Sequence, residues 1–114
     1  ALVDNVSPDD ADIAGTYNAF EKLRDPSHGR ALSLQEWCAL IDDAGLELRS
    51  AEVMDQDIGF EAWVQRMRCS PQVVARLREM LDEEPLHGLL RPRETGDRLT
   101  FTLREAIVLA AKPA

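Results

Sequence analysis

Basic residues are scarce in this chain of 114 residues: 13 Lys and Arg stand against 21 Asp and Glu, for a formal net charge of −8. That sign argues against a nucleic-acid partner, which needs clustered Lys and Arg to meet phosphates, and against an anionic membrane. Cysteine is nearly absent, with only Cys38 and Cys69. Both fall in segments of helical pattern, which fits reduced, packed thiols in a cytosolic protein better than a disulfide framework. Two histidines and no Cys/His cluster give no metal signature. No apolar run is long enough to span a bilayer and no signal-peptide pattern is read, so a cytoplasmic chain is expected. The six glycines, Gly15, Gly29, Gly45, Gly59, Gly88 and Gly96, stand singly, and no Gly-x-Gly follows a strand pattern.

What is present is an ordinary globular composition, 45% hydrophobic and 30% charged, enough for one small domain or a piece of a larger one. The chain opens without Met on a short apolar stub, Ala1-Leu2-Val3. A stub of that length makes no sheet by itself, which suggests a sequence cut from something longer.

Ala1 to Asp4 reads as the end of a strand buried on both faces. Ser7-Pro8-Asp9-Asp10 reads as a helix start, with Ser7 as N-cap and Pro8 in the first turn. Ile13, Tyr17, Phe20 and Leu23 give that helix one apolar face, and Pro26 ends it at or before Asp25. Ser33-Leu34-Gln35-Glu36 is a capping box. It opens a helix with the stripe Leu34, Trp37, Cys38, Leu40 and Ile41, closed by Gly45. Leu46 to Met54 alternates as a strand, with a bulge or bend expected at Ser50-Ala51.

From Asp57 to Leu90 the pattern is helical again. Phe60, Trp63, Val64 and Met67 form one short face, and Ser70-Pro71 opens a helix with the face Val74, Leu77, Met80 and Leu81. Leu86, Leu89 and Leu90 form a last apolar cluster before Pro92. Leu99, Phe101 and Leu103 alternate as a strand, and after a one-turn break at Arg104-Glu105 a solid apolar strand runs from Ala106 to Ala111. This order, strand, helix, helix, strand, helical insertion, strand or hairpin, suits the second half of an α/β sheet.

Three motifs occur in order: Val3-Asp4-Asn5, then Phe20-Glu-Lys-Leu-Arg-Asp-Pro-Ser-His28, then Ser33-Leu-Gln-Glu-Trp37 through Ala44-Gly45-Leu46. Together with the ending from Phe101 to Pro113 they resemble the C-terminal part of class I S-adenosylmethionine-dependent methyltransferases. The group concerned is similar to ubiquinone/menaquinone-biosynthesis methyltransferases, the methyltransferase type 11 group. The resemblance implies a Rossmann-like seven-stranded sheet. Ala1 to Asp4 would be the end of its fifth strand, Leu46 to Met54 the sixth, and Ala106 to Ala111 the seventh, inserted antiparallel between the other two. Residues 1–114 would then be a single partial domain, with 57–92 a cap-like helical insertion over the acceptor. That family holds its cofactor on a glycine-rich loop after the first strand, and the single glycines here form none. S-adenosylmethionine is therefore expected in an intact parent, with no cofactor-binding residue in this chain and no activity for the chain alone.

Candidate acceptor-binding residues are Asp4, Asn5, Tyr17, His28 and Trp63; no catalytic or metal residue is assigned. Asp4 and Asn5 end a parallel strand, where open α/β sheets place ligands, although Asp is also a common turn residue. His28 could meet the acceptor as an acid or base, or be a turn histidine bonded to a backbone carbonyl or to Asp25. Tyr17 and Trp63 also fit plain core stripes. Arg24 and Asp25 could form a local ion pair. Two functions are compatible with this: a fragment of a methyltransferase acting on a small molecule, or a non-catalytic dimerisation module derived from that fold. Either way, exposed strand edges predict a homodimer.

Overall fold

The computed structural model describes residues 2–113. Its elements run β1 (Leu2–Asn5), α1 (Ala11–Arg24), α2 (Leu34–Asp43), β2 (Glu47–Gly59), α3 (Phe60–Arg66), α4 (Pro71–Asp82), α5 (Leu86–Leu90), β3 (Arg93–Thr95) and β4 (Arg98–Ala111). In the sheet β4 lies between β1 and β2 and is antiparallel to both, so β1 and β2 run parallel. That is the arrangement expected of a last strand inserted backwards between two parallel ones.

The register sorts the side chains of β4 onto two faces. Phe101 and Leu103, with Ile58 from β2, join Tyr17, Phe20, Phe60, Trp63, Leu77, Leu81, Leu86 and Leu90 in the larger core. Ala106 and Val108 point the other way and pack with Val6, Leu2, Leu34, Trp37, Ile41 and Val53. Thus α1, α3, α4 and α5 cover one face at one end of the sheet, and α2 covers the opposite face at the other end.

Several boundaries differ from the sequence reading, each for a local reason. The N-cap of α1 is Asp10, whose carboxylate accepts from the N–H groups of Asp12 and Ile13, both at 3.0 Å. Ser7 is drawn instead into a bridge with Ser33, its N–H donating to the Leu32 carbonyl at 3.0 Å. β1 is an edge strand, paired with β4 alone among the described residues, and it is not buried on both faces: Leu2 packs toward α2, while Val3 on the other face is 56% exposed. Ala1 lies outside the described residues. In α2 the capping box and the glycine closure at Gly45 (φ +75°) form as expected, but no α2 residue is fully buried and Leu40 is exposed. Only one side of this helix has a sheet to lie on.

The strand after α2 ends five residues later than its apolar alternation indicated, at Gly59 rather than Met54. Asp57, Ile58 and Gly59 pair with Thr102, Phe101 and Thr100, so helix begins only at Phe60, and the irregularity falls between Leu48 and Ser50 rather than at Ser50-Ala51. There is no break at Arg104-Glu105. Both residues are paired across to β2, and on the other side Asn5 pairs with Glu105 while the Val6 N–H reaches the Arg104 carbonyl at 3.0 Å. Neighbours on both sides hold the polar pair extended.

Candidate functional site

β2 and β4 continue past the carboxyl end of β1. Asn5 pairs with Glu105, whereas the β2 pairing runs on to Thr100, an overhang of about 17 Å at strand rise. This two-stranded arm carries α3 and α5 on one face, so the helical insertion stands beyond the strand end where α/β sheets bind ligands.

At the root of the overhang lies a cleft lined by Val6, Pro8, Tyr17, Leu89, Leu90 and Arg104. A shallow pocket of about 110 Å³ adjoins it and shares Val6, Pro8 and Arg104. Among the described residues, four buried side-chain atoms have no hydrogen-bond partner within the protein: Ser7 Oγ, Tyr17 OH, Glu21 Oε1 and Trp37 Nε1. The first three belong to α1 and to the segment between β1 and α1. Tyr17 and Glu21 sit one helical turn apart and are 2% and 6% exposed. Burial pushes the Tyr17 phenol far up, with the Glu21 and Asp4 charges adding to it. Burial also raises the Glu21 carboxyl, against the opposing pull of Arg24. A larger basin of about 380 Å³ lies between α3, Arg78 and the Asp97–Leu99 segment, but none of its lining residues carries an unpartnered buried atom.

The structure brings Asp4 and Tyr17 within electrostatic reach of each other, with Asn5 following at the strand end and its N–H held by the Asp4 carboxylate at 2.8 Å. His28 is bonded elsewhere. Its Nε2 meets the Asn18 side-chain oxygen at 3.1 Å, while its backbone N–H donates to the Asp25 carbonyl at 2.8 Å, as in a turn; the Asp25 carboxylate takes the Ser27 hydroxyl at 2.6 Å. Asn18 also accepts the Ala31 N–H at 2.7 Å, so this amide pins the 25–31 turn to α1. Trp63 is 3% exposed, stacked on Phe20 at 5.1 Å and edge-on to Phe101 at 5.0 Å. Arg24 makes no ion pair with Asp25. Its guanidinium lies 4.4 Å over the Trp63 ring and its Nε donates to the Trp63 carbonyl at 2.9 Å. Glu21 was not singled out from sequence, and Ser7 was read only as a helix cap. The available signal was a carboxylate at i+4 from Tyr17, on a face otherwise apolar. Among the described residues no group of three His, Cys, Asp or Glu could hold a metal ion, and no helix is long and apolar enough to cross a membrane.

No protein-family model matches the chain. The structure superposes on that of a candidate methyltransferase, BH2331 of Bacillus halodurans C-125, with TM-score 0.89, 28% identity, and 99% of this chain covered against 55% of that one. The chain is similar to the C-terminal portion of a methyltransferase. It is also 26% identical, over 97% of its length, to the uncharacterized methyltransferase YcgJ of Bacillus subtilis strain 168, covering 46% of that protein. The YcgJ crystal structure has the same fold, with TM-score 0.87 at 22% identity. The chain therefore spans about half the length of the relatives it matches, and the resemblance to a methyltransferase read from its motifs is borne out.

Proposed function

We propose that this chain supplies the acceptor side of an S-adenosylmethionine-dependent methyltransferase that acts on a small molecule. The observation that carries the reading is the overhang: the helical insertion rides on β2 and β4 beyond the end of β1, as a cap over an acceptor would. The chain's own residues do not fit the cofactor. The turn from β1 to α1, Val6-Ser7-Pro8-Asp9-Asp10, has no glycine to let backbone amides approach a ligand, and it ends on an acidic cap. The part played by this chain is to hold and orient the acceptor beneath its cap and exclude water, which is where proximity contributes to rate.

The test is calorimetric titration with S-adenosylhomocysteine, first of this chain and then of the chain joined to a glycine-rich cofactor half. The expected result is no heat from the chain up to about 1 mM, equivalent to roughly −4 kcal/mol. The joined protein should bind and transfer a labelled methyl group to a small acceptor. Binding to the chain alone at about micromolar, or a joined protein that binds no cofactor, would overturn the reading. A second reading, a non-catalytic dimerisation module, is favoured by the unpaired outer edges of β1 and β2 and by exposed apolar side chains on the same sheet, Val3 on β1 and Leu109 on β4; its measurement is the mass in solution.

A further inference from the structure

The cleft at the end of β1 is closed in this structure. About 10 Å³ is free between Val6, Pro8, Tyr17, Leu89, Leu90 and Arg104, room for about one water, so an acceptor enters there only if a wall moves. Two of the walls, Leu89 and Leu90, form the last turn of α5, a helix of five residues that leads directly into β3. All three residues of β3 are exposed, so beyond its backbone pairing with β4 no apolar side chain anchors that strand. What ties this segment down is polar. Arg91 donates to the Asp55 carboxylate at 2.8 Å. Arg93 donates to the Asp57 carboxylate at 2.6 Å, to the hydroxyl of the buried Thr102 at 2.9 Å and to the Arg91 carbonyl at 3.0 Å. Asp55 and Asp57 alternate on one face of β2. Both ion pairs join residues 36 apart in the chain, whereas the other ion pairs among the described residues join residues no more than 7 apart.

We propose that Arg91–Asp55 and Arg93–Asp57 form a salt-sensitive latch that holds the strap from Leu89 to Thr95 shut over the cleft, and that its release admits the acceptor. The assignment rests on the acceptor-side reading above and names the element that regulates access to that site. Exposed ion pairs contribute little each and weaken with ionic strength, which suits a fastening that has to open. Leu86, 1% exposed, keeps the first turn of α5 in the core, so the strap swings from a hinge between Leu86 and Leu89.

Opening breaks the bonds from the Leu89 N–H to the Pro85 carbonyl and from the Arg91 N–H to the His87 carbonyl, both at 3.0 Å. Amide hydrogen exchange at Leu89 and Arg91 is therefore the measurement, made on this chain in 0.1 M and 1 M KCl, where the screening length falls from about 10 to about 3 Å. Salt also relieves the self-repulsion of a chain of net charge −8, so amides in α1 and α4 should slow or hold steady. Those of Leu89 and Arg91 should go the other way, exchanging about tenfold faster at 1 M KCl, the sum of two exposed pairs. Asp55→Asn combined with Asp57→Asn should give a similar acceleration already at 0.1 M and abolish the response to salt. Exchange at Leu89 and Arg91 that ignores salt or the substitutions, or that changes in step with α1 and α4, would overturn the latch. Should the double variant loosen α4 as well, Asp55→Asn alone decides. Exchange needs neither cofactor nor acceptor, so the two readings fail separately. A latch that responds in a chain whose joined protein transfers no methyl group sinks the proposed function alone. Methyl transfer whose kcat/KM for the acceptor is unchanged by the double substitution sinks the gate alone.

Discussion

At the scale of single residues, the polar side chains divide by whether they found partners. Asn18 found several: its amide also donates to the Ala14 carbonyl at 2.9 Å, besides the bonds to His28 and Ala31. Asn18→Ala leaves the N–H of the buried Ala31 unpaired and should cost about 1–3 kcal/mol. His28→Ala, which removes one half-buried bond, should cost about 0.5–1.5 kcal/mol. Urea midpoints of the two variants check the order, and a costlier His28 substitution would contradict it. Glu21 found no partner for one oxygen, and the consequence is a pH dependence. Its folded pKa is raised above the ordinary 4.5, so the native state holds its proton more tightly than the unfolded chain. Stability from this group therefore falls as pH rises from 4.5 through the folded value, and is unaffected below 4.5. Glu21→Gln should be more stable than the parent at pH 7 and lose that advantage at pH 4, as denaturation at the two values will show. Asp4, Asn5 and Tyr17 could be marked from sequence because strand ends and helix periodicity are local. Glu21 could not, because its lack of a partner depends on what α5 and β1 bring near it.

At the scale of elements, caps and turns were legible and strand limits were not. Ser33 and Glu36 form their reciprocal box, and Ser70 with Pro71 opens α4 as read from sequence, since both patterns close within four residues. Ser7 was read as the cap of α1, but its bridge to Ser33 draws it away and Asp10 caps the helix instead. Asp10→Ala should cost about 1 kcal/mol. Ser7→Ala, whose hydroxyl has no partner, should cost less. Thermal melts distinguish them, and the reverse order would show that Ser7 is the cap in solution. The uninterrupted β4 follows the same logic on a longer scale. Arg104 and Glu105 break the apolar run, but hydrogen-bonding neighbours on both flanks make the backbone indifferent to side-chain polarity there.

At the scale of the whole molecule, the chain is long rather than round. It extends 52 × 25 × 25 Å with a radius of gyration of 15.7 Å, against about 13 Å for a compact domain of this length. Two separate cores, one at each end of the sheet, account for that. On the face opposite α2, Val3, Ile107, Leu109 and Met54 form an apolar stretch by register, with Val3, Leu109 and Met54 exposed. Apolar surface beside an open strand edge favours association, so the isolated chain is expected to sediment as a dimer of the 12.7 kDa unit, and Leu109→Lys to shift it toward monomer. A sedimentation mass of one unit for the parent chain would remove the dimerisation reading.

The sequence by itself determined the helical segments, the caps of α2 and α4, the family resemblance and the apolar stripes, because periodicity and capping act over a few residues. Only the tertiary structure decided how far β2 and β4 run, that β1 is an edge, and that His28 is tied to Asn18. It alone showed Tyr17 and Glu21 buried without partners beside the end of β1. Each of these depends on residues distant in the chain meeting across the sheet, where pairing and burial override what a local stretch prefers.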